Sequence, residues 1–232
     1  FFLKFYVCIN LDYIGVFDYS DSFIKTKTKS LILGSGSPRR RELLSYICDD
    51  FTIIKPEIDE DLILKKALEK FKGEAFITKA SKATAEIALE KAKKIYSIDS
   101  SKTIITADTT VIHNEEILGK PKNEKDALDT LNSLMGDTHY VSTAVCIFND
   151  IDDYEAFYVT SKVEFQDKSL LMDNFLKRYI ESKEPMDKAG SYGIQNLGSL
   201  MIKNIYGDYY NIVGLPIAEL YKRLGDDYED ID

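Results

Sequence analysis

The chain has few of the residues from which disulfide frameworks and zinc sites are built. Its 232 residues include two histidines and three cysteines, Cys8, Cys48 and Cys146. Because the cysteine count is odd and the spacings are unrelated, neither a set of disulfides nor a C-x-x-C metal motif can be drawn. This composition predicts a reducing, cytoplasmic compartment. It also predicts that any bound metal is a hard cation held by carboxylates, Mg²⁺ or Mn²⁺.

Basic residues are in the minority, and long hydrophobic runs are missing. Thirty Lys and Arg residues against 39 Asp and Glu residues give a formal net charge of −9, which disfavours broad nucleic-acid binding because a polyanion is repelled. The apolar stretch over residues 1–17 is interrupted by Lys4, Asn10 and Asp12, so it is too polar for a membrane span. No small-residue cleavage site follows it, which favours an appended strand or a fragment boundary over a targeting segment.

The remaining composition is that of a soluble globular protein with a real core, since apolar residues make up 44% of the chain and charged residues 30%. A polar stretch rich in Lys, Ser and Thr over residues 20–30 is typical of a linker. We therefore predict an N-terminal extension and linker over residues 1–30, one domain over residues 31–225 and an acidic tail over residues 226–232.

Short apolar runs and amphipathic segments alternate along the predicted domain. Strands are predicted at residues 31–33, 51–54, 103–107, 140–148 and 157–165. Helices are predicted at residues 39–46, 62–96 with a break near Gly73, 123–135 and 170–180, and from Pro216 onward. Because strands and helices alternate at first and an antiparallel pair follows, we predict an α/β fold with a mixed sheet flanked by helices.

The turn after the first predicted strand has the composition of an anion cradle. Two glycines, Ser35 and Ser37 precede three consecutive arginines, Arg39 to Arg41, and Ser37-Pro38 suits the start of a helix. Free N–H groups and guanidinium groups at such a place match a phosphate. The alternative is an ordinary capped helix with solvated arginines. Positive charge at a helix N-terminus is unfavourable without an anion, and this favours the cradle.

Four other positions carry candidate chemistry, and three of them have a plainer alternative. Asp108 follows an apolar strand, where it could orient water or hold a metal, or could be a turn aspartate. Lys120 lies in a rigid Gly-Lys-Pro loop and offers a point charge to a phosphate. Glu60, in an Asp-Glu-Asp run, could be a metal ligand or part of a solvated helix start. His139 could be a catalytic base, but a structural hydrogen-bonding role is favoured.

Eight ordered blocks of the sequence together resemble the Maf family of nucleoside triphosphate pyrophosphatases, over residues 31–224. They lie at residues 35–44, 58–60, 88–92, 107–109, 119–121, 136–139, 184–195 and 211–216. The resemblance implies a two-lobed fold with a central cleft, like that of inosine triphosphate pyrophosphatase. It also implies hydrolysis of a nucleotide between its α and β phosphates, which releases a monophosphate and pyrophosphate in a house-cleaning role.

The resemblance further assigns roles to single residues. Asp108 matches the acid of the family that activates water, Glu60 matches its metal-associated glutamate, and a divalent cation, Mg²⁺ or Mn²⁺, is implied at these two. Whether Asp108 takes a proton from water or binds the metal stays open, since both need an ionised carboxylate at the same place. The implied substrate-binding residues are Ser35, Arg39, Arg40, Lys91, Thr109, Lys120 and Gln195.

The amide of Gln195 favours a pyrimidine substrate. It can accept from N3–H of uracil or thymine and donate to O4, whereas the Watson–Crick edge of guanine offers two donors that suit a carboxylate. The resemblance agrees, because Arg39, Thr109 and Gln195 occupy the positions that separate the dTTP/UTP branch of the family from its 7-methyl-GTP branch. The sequence therefore predicts pyrophosphate release from dTTP and UTP.

Two other functions stay open, a pyrophosphatase for a purine or modified nucleotide and a catalytically idle, nucleotide-binding regulator of cell division. The predicted partner is a nucleoside triphosphate, without nucleic acid or membrane, and a homodimer is left open. Three features depart from the family pattern. The chain has about thirty extra N-terminal residues, a longer segment between Glu60 and Lys91, and Gly34 where the family usually has Ala. A glycine-tolerant turn should absorb the last change.

Overall fold

The computed structural model describes the backbone of residues 14–19 and the whole of residues 30–224. Its strands are β1 (Ile14–Tyr19), β2 (Leu31–Gly34), β3 (Phe51–Ile53), β4 (Thr103–His113), β5 (Glu116–Leu118), β6 (Thr138–Asp150), β7 (Asp153–Phe165) and β8 (Ile202–Tyr206). Its helices are α1 (Pro38–Leu44), α2 (Glu60–Lys70), α3 (Phe76–Tyr96), α4 (Glu124–Leu134), α5 (Leu170–Glu181), α6 (Tyr209–Val213) and α7 (Ile217–Leu224). Three 3₁₀ turns lie at Glu184–Asp187, Ala189–Ser191 and Asn196–Met201.

The strands form one mixed sheet with the order β1-β7-β6-β4-β2-β3, to which β5 adds beside β4 and β8 beside β7. Strand β2 runs parallel to both β3 and β4, and the other pairs are antiparallel. The predicted α/β class with a mixed sheet is confirmed. The predicted helix over residues 62–96 is interrupted at residues 71–75, so the expected break near Gly73 separates α2 from α3.

Strand β4 is longer than the sequence predicted, and this corrects the expected position of Asp108. The prediction ended the strand at Ala107, but β4 continues to His113, so Asp108 lies in its middle, opposite Ala144 of β6. The parallel partner β2 stops earlier, where Gly34 pairs with Thr106. Asp108 therefore lies just past the end of the parallel neighbour while the antiparallel neighbour continues to support the strand. The β-branched run after Asp108 is what extends β4.

Helices cover both faces of the sheet, because the side chains of each strand alternate between two cores. In β2, Ile32 packs with α3 residues on one face, whereas Leu31 and Leu33 pack on the other with residues of α1, α4, α5 and α7. All three side chains are fully buried. The predicted sheet flanked by helices is thus confirmed. This arrangement lets the end of β2, the middle of β4 and the helices beside them meet on one side of the molecule.

The outer edge of β7 pairs with two strands that are far apart in sequence. Strand β1 pairs with residues 155–159 of β7, and β8 pairs with residues 162–165. A strand therefore lies within the predicted N-terminal extension, whereas most of the predicted linker and the acidic tail lie outside the described residues. In the part of the chain that the structure describes, no helix combines the length and the apolar character needed to span a bilayer.

Candidate active site

The turn that leaves β2 is built from local hydrogen bonds. The Ser35 hydroxyl accepts from the Ser37 amide at 3.2 Å, and the Ser37 hydroxyl accepts from the Arg40 amide at 3.5 Å. Ser37 is thus the N-cap of α1 and Pro38 is its first residue, as the sequence predicted. The buried Leu43 and Leu44 then fix α1 against the sheet. These contacts direct the start of the helix and its arginines toward one cleft.

The cleft is open and has a volume of about 930 Å³. It is bordered by the turn after β2, the first turn of α2, the inner face of α3, the middle of β4, the loop after β5 and the segment before the last 3₁₀ turn. The structure brings every predicted site residue to this cleft, namely Ser35, Arg39, Arg40, Glu60, Lys91, Asp108, Thr109, Lys120 and Gln195. The individual roles given to them above stay predictions.

Lys91 joins the two predicted acidic residues. Its ammonium nitrogen lies 2.7 Å from Oδ1 of Asp108 and 2.8 Å from Oε1 of Glu60. Asp59 caps α2 by accepting from the Leu62 amide at 2.9 Å, which places the next residue, Glu60, in the first turn beside the cleft. Asp59 of the acidic run therefore serves the helix start, and Glu60 lines the cleft; the role of Glu60 as a metal ligand stays a prediction.

A divalent cation would fit this site only as part of a larger complex. Among the described residues, no group of three or more His, Cys, Asp and Glu side chains is placed to hold a metal ion. Glu60 and Asp108 do contact the same ammonium nitrogen, so both carboxylates face one place in the cleft. Mg²⁺ is usually held by one or two carboxylates together with substrate phosphates and water. The donor set thus suits a cation that binds together with a polyphosphate.

Arg40 is engaged mainly with the protein itself. Its guanidinium donates to the carbonyls of Gly214 and Ala107, each at 2.8 Å, and to the Thr109 hydroxyl at 2.9 Å. Burial lowers the pKa of Arg40, and the nearby Asp108 charge acts in the opposite direction. These bonds tie α1 to β4 and to the loop before α7. Arg40 is therefore placed to position the cleft walls, and the predicted contact between Arg40 and the substrate stays a prediction.

Several other cations of the cleft form no ion pair within the described part of the chain. Arg39, Lys55, Lys120 and Lys122 all line it, and none of them forms an ion pair with a carboxylate of the described residues. The Nε atom of Arg39 is buried and makes no hydrogen bond to a described residue. Lys188 differs, since its ammonium lies 2.6 Å from Oδ1 of Asp187. Unpaired cations in one concave site favour binding of an anion with several charges.

Lys55 and Lys122 were missed at the sequence level. Lys55 follows β3, next to the end of the parallel strand β2, and its stem lies over the turn: a Cβ added at Gly36 would be 3.5 Å from Lys55 Cδ. The rule that ligands bind beyond the carboxyl ends of parallel strands could have identified Lys55. Lys122 lies two residues after Lys120, and nothing in its local sequence distinguishes it from a solvated lysine.

The opposite wall of the cleft is supported by a buried histidine. His139 is fully buried, its Nε2 lies 2.7 Å from the hydroxyl of Tyr192, and its ring is not part of the cleft lining. Burial, reinforced by the nearby His113, lowers the pKa of His139 to about 3. This environment favours the structural interpretation of His139. Tyr192 lies three residues before Gln195, so the bond supports the segment that carries the predicted base-reading amide.

An α/β sheet that gathers two carboxylates and several unpaired cations in one cleft defines a protein suited to polyphosphate ligands. A family model described as Maf-like protein matches residues 30–226. Two dTTP/UTP pyrophosphatases of Bacillus cereus, from strains G9842 and B4264, are 40% and 39% identical to this chain over 196 residues, which cover 84% of this chain and 94% of each relative. The chain belongs to the Maf family, as its sequence motifs predicted.

Proposed function

We propose that the protein hydrolyses dTTP and UTP to the nucleoside monophosphate and pyrophosphate, in the cytoplasm. The observation that carries this proposal is the cleft itself, whose lining combines the Lys91-bridged carboxylates, several cations without an ion pair to a described residue, and Gln195. The Bacillus relatives, named for this activity, support the choice of reaction and substrate. Removing non-canonical or surplus nucleotides from the pool is the role that we infer for such a reaction.

The unpaired cations would bind the triphosphate. Arg39, Lys55, Lys120 and Lys122 lie around the cleft without described acidic partners, so an anionic ligand gains from them without first breaking ion pairs. Arginine suits two phosphate oxygens at once, whereas each lysine supplies a point charge. The chain as a whole is acidic, with a formal net charge of −9. We therefore assign phosphate binding to this local set and not to the general charge of the protein.

In the proposed reaction, Asp108 would activate the attacking water. Lys91 holds Oδ1 of this carboxylate, and Oδ2 makes no hydrogen bond to any described residue. In our proposal, Oδ2 orients a water molecule in line with the α-phosphorus and accepts its proton. The new bond joins the water oxygen to the α-phosphorus, and the bond to the bridging oxygen breaks, so that pyrophosphate leaves. A Mg²⁺ or Mn²⁺ ion held by Glu60 and Asp108 would neutralise charge on the phosphate oxygens when bound.

The base would be read at the other end of the cleft. Gln195 is half-buried there, and its amide can accept from N3–H and donate to O4 of uracil or thymine. The Watson–Crick edge of guanine offers two neighbouring donors, N1–H and N2–H₂, which suit a carboxylate better than an amide. The proposed preference is therefore for dTTP and UTP over GTP and 7-methyl-GTP.

The proposal is tested by a pyrophosphate-release assay with dTTP, UTP, GTP, ATP and 7-methyl-GTP in Mg²⁺ or Mn²⁺. We expect release to be fastest from dTTP and UTP, to yield the monophosphate in equal amount, and to stop when EDTA removes the cation. Release of orthophosphate instead of pyrophosphate, a preference for a purine, or the absence of any hydrolysis would contradict it. Full activity in EDTA would contradict the metal requirement alone.

A further inference from the structure

The backbone at Gly193 is held from behind the cleft wall by two groups. The Gly193 amide donates a hydrogen bond to the hydroxyl of Tyr179 at 3.2 Å. The next turn of chain packs against the carbonyl of the same residue, since a Cβ added at Gly198 would lie 2.0 Å from the Gly193 carbonyl oxygen and 3.1 Å from the Tyr179 hydroxyl. Only glycine fits at position 198, and the Gly193 carbonyl cannot move backward.

The cleft side of Gly193 is covered by two cationic side chains. A Cβ added there would lie 2.9 Å from Cε of Lys188 and 3.7 Å from Nη1 of Arg39. Gly193 is thus enclosed between the Tyr179 hydroxyl behind it and two cationic side chains in front of it. The base-reading amide proposed above, Gln195, follows two residues later. Its position therefore depends on how the Gly193 peptide is oriented.

Tyr179 is a rigid support for this peptide. It is fully buried on α5, and its ring stacks on Phe175 with ring centroids 5.9 Å apart and an interplanar angle of 13°. Burial raises the pKa of Tyr179 to about 12, so the hydroxyl stays neutral at the pH at which the enzyme would work. Tyr179 does not line the cleft, so any effect on substrate must act through the Gly193 peptide.

We propose that Tyr179 is a positioning residue for base selectivity, which fixes the Gly193 peptide so that Gln195 faces the nucleotide base. The inference rests on the proposed function. Of the cations assigned to the triphosphate, Lys55, Lys120 and Lys122 lie outside the Gly193 segment, and Arg39 alone of the four approaches it. A change at Tyr179 should therefore weaken base recognition and affect phosphate recognition little. Displacements of about 1 Å can weaken such directional contacts strongly.

The test is Tyr179→Phe, which keeps the ring and removes the hydroxyl. We expect the ratio of kcat/KM for dTTP to that for GTP to fall about 3- to 10-fold, as for the loss of one neutral hydrogen bond. The change should appear in the KM for dTTP, with kcat close to that of the wild type. The inhibition constant for pyrophosphate, which has no base, should stay unchanged.

Tyr158→Phe is the matched control, because Tyr158 packs against the core on the opposite face of the sheet and burial also raises its pKa. This variant should keep the wild-type substrate ratio. The inference is overturned if Tyr179→Phe keeps that ratio too, or if substrate selectivity and pyrophosphate inhibition decline together. If the wild-type enzyme prefers a purine or hydrolyses no nucleotide, the proposed function is wrong and this inference is wrong with it. Assays of the wild type alone distinguish that outcome from a failure of the inference about Tyr179.

Discussion

Lys91 is the side chain that holds the two acidic residues of the cleft in place. Only 7% of the residue is exposed, and its ammonium contacts both Asp108 and Glu60. A buried ammonium without partners would be unfavourable, so each carboxylate also stabilises the lysine. A substitution that removes the charge of Asp108 and keeps its shape leaves Glu60 to pair with Lys91. The charge of Asp108 can therefore be removed without leaving the lysine unpaired.

Asp108→Asn is expected to lower kcat by about 10²- to 10⁴-fold, because the amide keeps the shape of the carboxylate but loses the charge that orients water or a metal. Nucleotide affinity should change little, since the unpaired cations of the cleft are untouched. Pyrophosphate release measures the first effect, and calorimetric titration with dTTP measures the second. Asp152→Asn, in the exposed turn between β6 and β7, is the control. If Asp108→Asn retains more than half of the wild-type kcat, Asp108 is excluded from the mechanism.

Gln195→Ala tests the reading of the base directly. Loss of a hydrogen bond to the base should cost about 1–3 kcal/mol, or about 5- to 150-fold in kcat/KM for dTTP and UTP. GTP hydrolysis should change less, so the selectivity ratio should decline further than it does in Tyr179→Phe. Pyrophosphate inhibition provides the internal control for the phosphate end. An unchanged ratio of dTTP to GTP would show that Gln195 does not read the base.

Elements with local signals were predicted well, and contacts between distant elements were not. Ser37 and Pro38 define the start of α1 by capping, which the sequence shows directly. The position of Asp108 within β4 depends on where neighbouring strands stop, and no local pattern near Asp108 reports this. The bridge made by Lys91 joins α2, α3 and β4. Family motifs could identify the three residues of this bridge, but the ion pairs between them could be seen only in the folded structure.

The turn after β2 gives a prediction about packing. The sequence suggested that Gly34 is a harmless replacement for the Ala of the family, but a Cβ at Gly34 would lie 2.4 Å from Cδ1 of Ile95 and 2.5 Å from Cγ2 of Thr106. Both neighbours are fully buried. Gly34→Ala should therefore destabilise the fold by about 1–3 kcal/mol through overpacking, as measured by urea unfolding.

A second substitution can show that overpacking is the cause. Ile95→Val removes the Cδ1 methyl that an alanine at position 34 would meet. The double variant should therefore recover part of the stability that Gly34→Ala loses. Additive losses in the double variant would indicate that the two side chains do not interact, and equal stability of Gly34→Ala and the wild type would show that the neighbours adjust freely.

Charge is distributed unevenly over the molecule. The chain has a net charge of −9, yet the cleft is lined by Arg39, Lys55, Lys120 and Lys122 without described acidic partners. The positive charge of these side chains attracts a small anion into the cleft, while the negative charge of the rest of the protein repels a long polyanion. This distribution of charge is a physical reason for the proposed preference for a nucleotide over nucleic acid.

The stability of the whole protein should depend on acid through His139. Its pKa is lowered to about 3 by burial, with His113 acting in the same direction, whereas a histidine in the unfolded chain has a pKa of about 6.5. Between these two values the unfolded state binds a proton that the folded state does not. The free energy of unfolding should therefore have its full value above pH 6.5 and decrease as the pH falls toward 3. At pH 5 it should be lower by about 2 kcal/mol.

Urea unfolding of the wild type and of His139→Gln at pH 8 and pH 5 measures this loss. A glutamine can still bond to the Tyr192 hydroxyl, which lies 2.7 Å from His139 Nε2, but it does not titrate. The variant should be less stable at pH 8 because its shape fits the site poorly, and its stability should change less between the two pH values. Carboxylates with a lowered pKa, such as Asp137, lose their contribution to stability only below pH 5, so they do not affect the comparison between pH 8 and pH 5. Equal losses in the wild type and the variant would show that the acid sensitivity arises elsewhere in the protein.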